Sequence, residues 1–174
     1  MKIIEALKQI KDINRRVEEL KDKIAKHCMD LDYETPIYEN QTEQIKNWLQ
    51  TRRDLIQEIL RLKKCIQVTN LLTEVTITIG DNHITKSIAE WIIRRQTLAK
   101  LELEAWERLG IKPLKEGAIQ TSAGEKKDVK IRRYYSSEER DKMISALRAE
   151  PVLIDSQLEI VNAVTDLLES NLKI

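Results

Sequence analysis

No glycine or proline interrupts residues 1–35, and none falls between Pro36 and Gly80. Glycine and proline are the two residues that cost a helix interior most. Two stretches of this length without either one favour long helices over any sheet-based architecture. The rest of the chain is nearly as free of breakers, with 4 Gly and 3 Pro in 174 residues. Apolar residues make up 41% of the chain, enough to bury a core, so disorder along its whole length is not expected. The expected class is mainly α. Punctuation is confined to Pro36, Gly80, the stretch from Gly110 to Gly124, and Pro151.

The first helix is expected over 2–31. Ile3, Leu7, Ile10, Val17, Ile24 and Leu31 fall in alternating three- and four-residue steps, with Asn14, Lys21 and Cys28 interrupting the same seam. Ile13 and Leu20 widen the stripe. This is a coiled-coil-like pattern, in which polar seam residues set register. Residues 32–39 break the period around Pro36, which disfavours helix before it. Asn40 with Glu43 then forms a capping-box signal for a second helix over 41–72. Its stripe is Ile45, Trp48/Leu49, Leu55/Ile56, Ile59, Leu62, Ile66 and Leu72. Two long helices with a short connection pack most simply as an antiparallel hairpin.

The period changes to two at residues 74–79, followed by the turn signal Gly80-Asp81-Asn82 and a short strand over 83–85. Thr85 is expected to cap a third helix over 86–109, ended by Gly110. This helix carries two apolar stripes. Ile88, Trp91, Leu98, Ala105 and Leu109 form one, and Ile92, Ala99, Leu103 and Trp106 the other. One neighbour cannot cover both, so the helix is expected to be central or to present one stripe, with Trp91 or Trp106, to another subunit. Residues 112–128 read as a flexible loop. Residues 129–135 have strand character and are expected to pair with 74–79 in a small antiparallel sheet. Ser136 with Glu139 caps a closing helix over 137–172. Its seam of Ile144, Leu147, Ile154, Leu158, Val161, Leu168 and Leu172 continues across Pro151, where a kink or break near 149–151 is expected. The whole is read as one helical domain, 1–174: a helical hairpin plus two further helices in a bundle, with a β element near 74–85 and 129–135.

Charge is balanced overall, with 30 basic and 29 acidic residues, so no whole-chain field draws it to nucleic acid or an anionic membrane. Locally it is uneven. Residues 112–135 hold seven basic against three acidic residues, and 136–174 hold four against eight. The arm Lys126, Lys127, Lys130, Arg132, Arg133, Tyr134 and Tyr135 therefore has two readings. It steers assembly against the acidic helix of the same or a neighbouring subunit, or it contacts nucleic acid through phosphates and tyrosine stacking. The first is preferred because the overall charge is balanced. Arg95, on the Ile88/Trp91/Leu98 seam, either lays its stem on the core or forms a buried ion pair with Asp155 or Glu159.

Chemistry-bearing motifs are scarce. Cys28 and Cys65 lack disulfide-framework or zinc spacing, which fits a reducing, intracellular setting. His27 and Cys28 are adjacent in a helix and point about 100° apart, so they make no nucleophile–base pair. His83 is read as a solvated turn residue. There is no phosphate-binding glycine loop, no catalytic motif, no secretory signal and no apolar run long enough to span a bilayer. No enzyme activity, cofactor or metal is expected.

Met1-Lys2-Ile3-Ile4-Glu5-Ala6-Leu7 with Asn14-Arg15-Arg16-Val17 resembles the first helix of the septicolysin-like family, small helical proteins of uncharacterised function from bacteria and phages. Asn70, Thr73, Gly80, Ile84-Thr85, Ala89, Arg95 and Leu98 resemble its middle pattern. Ile154-Asp155, Leu158-Glu159, Asn162, Thr165 and Leu167-Leu168 resemble its closing helix, with a departure at Ala163, where the family has an aromatic. The resemblance implies a long helical hairpin, a small β element and self-association, and no established activity. The expected function is a non-catalytic oligomeric structural or interaction protein, such as a phage particle or accessory component, in the cytoplasm or the virion. A nucleic-acid-associated protein is the alternative, and a lytic or pore-forming factor ranks third.

Overall fold

The computed structural model describes residues 1–120, 122, 124 and 126–168. The chain divides into two compact units, Met1–Glu74 with Leu158–Ile174, and Val75–Gln157. Its elements are α1 (Ile3–His27), α2 (Gln41–Leu72), β1 (Glu74–Ile79), β2 (Asn82–Ser87), α3 (Ile88–Ile93), a π-helical turn (Arg94–Leu98), α4 (Ala99–Arg108), β3 (Gly117–Gln120), β4 (Lys126–Val129) and α5 (Ser137–Val164). The fold is mainly α with small antiparallel β elements, as the breaker pattern implies.

In the first unit, α1 and α2 form an antiparallel hairpin. At one end the Gln41 side-chain amide donates to the His27 carbonyl at 2.7 Å. His27, Tyr38 and Trp48 pack there with ring centroids 5.4–5.8 Å apart. Asn40 caps α2 by accepting from the Glu43 N–H at 3.0 Å. The core runs along Ala6, Ile10, Ile13 and Val17 of α1 against Leu62 and Ile66 of α2, with Leu55, Ile59 and Leu167 packed beside it. The α1 seam is therefore 3, 6, 10, 13, 17, one position away from the expected one at alternate steps. Leu7 is exposed, and so are Asn14, Lys21 and Cys28. Ala6 and His27 hold the places expected for Leu7 and Cys28: Ala6 is fully buried, and the His27 ring is buried against Tyr38 and Trp48. The helix also stops at His27, short of the expected 31.

At the other end of the hairpin the chain returns as an extended segment. Ile3 N–H donates to the Thr165 carbonyl at 3.1 Å, and Leu167 N–H to the Met1 carbonyl at 2.8 Å. Lys2 Nζ donates to the Val164 carbonyl and to Asp166, at 2.7 and 2.8 Å. The fully buried Thr69 hydroxyl accepts from Leu168 N–H at 2.9 Å and donates to the Cys65 carbonyl at 2.8 Å. The closing helix thus ends at Val164, where 137–172 was expected; Leu172 lies outside the described residues.

The second unit begins with the β1–β2 hairpin. Gly80 adopts φ +61° at the first central turn position and Asp81 does not, which makes a type II′ turn suited to a two-residue hairpin. Thr76 and Thr85 hydroxyls bond across the strands at 2.7 Å, and Thr78 bonds His83 Nδ1 at 2.9 Å. Thr85 is therefore a cross-strand partner, and the helix cap is Ser87, in a capping box with Glu90. Residues 129–135 do not pair with β1. β3 and β4 make their own two-stranded antiparallel sheet, with Gly117 opposite Val129 and Gln120 opposite Lys126. Residues 130–136 are irregular. The stretch 112–128, read as loop, holds that hairpin. α5 is capped by Ser136, which accepts from Glu139 N–H at 3.2 Å. It runs as one helix through Pro151, so of the expected kink or break there is no break. Leu147, Ile154 and Leu158 are buried along it, as the seam implies.

The π turn resolves the two-stripe problem. Ala99 N–H donates to the Arg94 carbonyl, five residues back. Thr97 Oγ1 donates to the Ile93 carbonyl at 2.9 Å, a side-chain bond that competes with the regular ladder. One extra residue in the turn rotates everything after it by about 100°. Ile88 and Trp91 of the first stripe then share a face with Ala99, Leu103 and Trp106 of the second. Ile88, Trp91 and Ala99 are buried, Leu103 and Trp106 half-buried, and Leu98 and Ala105 exposed. Two expected stripes are one, so this helix needs no second neighbour on that account.

Candidate functional site

The first concentration of chemistry lies at the π turn. Arg94 Nε and Nη2 donate to the Glu150 carboxylate at 2.6 and 2.9 Å, and its Nη1 and Nη2 donate to Glu102 at 2.6 and 2.8 Å. Glu150 is 5% exposed and Arg94 16%, so this is a buried fork-to-fork pair with a half-exposed third member. Glu150, then Glu102, hold the guanidinium in its charged form, and Arg94 in turn keeps the Glu102 carboxyl below the usual carboxylate range. Arg95 does reach Asp155, as the sequence suggested, but Asp155 is exposed and the pair is not a buried one. The buried pair belongs to Arg94, whose partner Glu150 is the buried carboxylate. A cleft of about 760 Å³ opens here between the β1–β2 turn, the π turn and α5. Lys86 and Lys142 also line it, and the Lys86 ammonium lies 5.8 Å from the Trp91 ring centroid. Trp91 itself is buried, and its indole N–H donates to the Val75 carbonyl at 2.9 Å. It is a core residue, where an interaction surface was expected. Trp106 is half-buried on the same face.

The second concentration is the arm. Arg132, Arg133, Tyr134 and Tyr135 line one cleft of about 500 Å³ together with Lys112 and Arg140. Leu109, Leu114 and Ile131 supply apolar wall. Glu116 accepts the Ile131 N–H at 3.0 Å and fixes the backbone just before Arg132. Gly110 ends α4 at φ +87°, and a Cβ there would lie 2.6 Å from the Tyr135 hydroxyl and 2.9 Å from Arg140. A side chain at this position would push the Tyr135 and Arg140 tips off the helix end. Arg140 donates to Asp141 at 2.7 Å and to the Leu109 carbonyl at 3.2 Å. Lys126 and Lys127 stand on β4 and Lys130 just past it, all exposed and outside the cleft lining. Arg140 escaped the sequence reading because it lies on the acidic helix; its spacing from Ser136, one turn in, was the available signal.

Among the described residues, Lys112, Lys115, Lys126, Lys127, Lys130, Arg132 and Arg133 form no ion pair. Also among the described residues, no group of His, Cys, Asp and Glu gathers to hold a metal, and no helix is long and apolar enough to cross a membrane.

No protein-family model matches the chain, and none of the curated proteins matches its sequence. Among solved structures it resembles the crystal structure of a functionally unknown conserved protein from Corynebacterium diphtheriae. The two share 19% identity over 97% of this chain and 99% of that one, with a TM-score of 0.56. A likeness at that identity shows the shared fold and nothing of function.

Proposed function

We propose that this chain is a non-catalytic, self-associating structural or interaction protein, of the kind that serves as a phage particle or accessory component, in the cytoplasm or the virion. Membership of the septicolysin-like family belongs to the same proposal. One observation carries it. On α2, Leu49, Ile56, Leu60 and Leu71 are between 41% and 64% exposed, and they recur in steps of seven, four and eleven residues. Those steps keep one helical face, turned about 100° from the stripe that packs on α1. Lys46, Arg53, Lys63 and Lys64 flank that face, so association through it should strengthen as salt screens the like charges. Light scattering coupled to size exclusion tests this. Mass should rise above one chain with concentration, and Ile56→Lys with Leu60→Lys should return it to a monomer. A native chain that stays monomeric at every concentration sinks the reading.

A second reading is favoured by the arm's lack of ion pairs: binding to nucleic acid through Lys126, Lys127, Lys130, Arg132 and Arg133. It requires an affinity that falls steeply with salt in a gel shift. A lytic role ranks last and requires dye release from liposomes.

A further inference from the structure

The cleft between the end of α4 and the start of α5 differs from an ordinary basic surface in two respects. First, its cations meet in one concave volume. Among the described residues, Lys112, Arg132 and Arg133 line it without an ion pair and no aspartate or glutamate lines it. Arg140 adds a fourth cation, offset by Asp141 beside it. The first residue of α5, Ser137, is also at the wall. Glu138 and Glu139 occupy the same first turn, so the helix end contributes little and the cations carry the charge. Second, the remaining wall is apolar and aromatic, formed by Leu109, Leu114, Ile131, Tyr134 and Tyr135. At about 500 Å³ the volume falls in the range of sites that enclose small ligands.

A complementary ligand is anionic at one end and flat and apolar at the other. Arginine forks match phosphate oxygens two at a time, and tyrosine faces suit a stacked base. We propose that this cleft binds a nucleotide-sized organic phosphate, with the phosphate held by Arg132, Arg133 and Lys112 and the ring lying against the tyrosines. Gly110 is the positioning residue, since it lets Tyr135 and Arg140 pack over the helix end. The cleft sharpens the division within the arm. Arg132 and Arg133 belong to the site, and Lys126 and Lys127 do not. The inference stands apart from self-association, because a monomeric chain would bind just as well.

Isothermal titration calorimetry of the full chain with AMP, inorganic phosphate, adenosine and a twenty-nucleotide oligothymidine tests it. AMP should bind one per chain, inorganic phosphate at least tenfold more weakly, and adenosine not detectably. Arg132→Gln with Arg133→Gln should weaken AMP at least tenfold, whereas Lys126→Gln with Lys127→Gln should leave it within twofold. Circular dichroism checks that both double variants fold. Absence of AMP binding to the native chain at millimolar concentration overturns the proposal. So does equal loss from the two double variants, or binding seen only with the oligonucleotide, which would make the arm a polymer track.

Discussion

Replacing Arg94 with methionine tests how much of the second unit depends on the π-turn triad. The substitution leaves the Glu150 carboxylate almost fully buried without its partner. Removing one member of a buried pair costs about 3–5 kcal/mol, because the other charge is left desolvated. Arg94 retains some exposure and Glu102 is half exposed, so the lower end of that range applies, about 3 kcal/mol. With a urea dependence of about 2 kcal/mol per molar, the midpoint should fall by about 1.5 M. The triad lies within one of two compact units, so the readout must be local. In a Trp48→Phe background, tryptophan fluorescence reports only Trp91 and Trp106, both in that unit. The decisive comparison is the double variant Arg94→Met with Glu150→Met. It removes both charges and leaves only an exposed Glu102 unpaired, so stability should recover to within about 1 kcal/mol of native. If the single variant costs under about 1 kcal/mol, or the double variant costs as much as the single, the triad is not a desolvated pair and the reasoning fails.

Deleting Gln96 should return the π turn to a regular helix and leave Ala99, Leu103 and Trp106 on the face of Trp91, because the turn holds one residue more than a regular helix. The second unit should then keep a cooperative unfolding transition by fluorescence, and loss of that transition would contradict the merged face. Gly80→Ala and Gly110→Ala separate backbone strain from crowding: the first has open space around it and should cost about 1–2 kcal/mol, while the second must also displace Tyr135 and Arg140 and should cost more in urea titration. Equal costs would show that those side chains do not pack against Gly110. The Glu102 carboxyl is lowered by Arg94, so its folded value lies below its unfolded one. Its stabilisation is full above about pH 4.3 and is lost as pH falls through the folded value. Glu102→Gln should therefore flatten the acid side of a midpoint-versus-pH curve, and an unchanged slope would remove Glu102 from the triad.

What was legible in the sequence was what local rules write down. Asn40 with Glu43, Ser136 with Glu139 and the Gly80 turn stand where spacing puts them. The α5 seam through Leu147, Ile154 and Leu158 does too. Other features depend on partners that no window contains. The α1 seam runs through Ala6, which hydrophobicity ranks below Leu7 and close packing ranks above it. The end of α5 is set by the Met1–Ile3 backbone and the Thr69 hydroxyl, far away in sequence. Thr85 looks like a cap until Thr76 takes its hydroxyl across the hairpin. The arm was recognisable by composition, but its division into a cleft and an outer hairpin was not. That division depends on Gly110 and on Arg140, one turn inside an acidic helix.

The π turn changes where an interface must be sought. Read as a regular helix, residues 86–109 present two apolar stripes and call for a second neighbour, so self-association would centre on Trp91 and Trp106. With one residue added at Arg94–Leu98 the stripes merge, Trp91 is buried, and the apolar residues left outside, Ile93, Leu98 and Leu101, span little more than two turns. The longer exposed apolar face is on α2. There Leu49, Ile56, Leu60 and Leu71 continue a heptad-like pattern beside the one that α1 covers. If the chain self-associates, charge at Ile56 and Leu60 must disrupt it and charge at Leu98 must not. That contrast separates an interface on α2 from one on the helix the sequence first suggested.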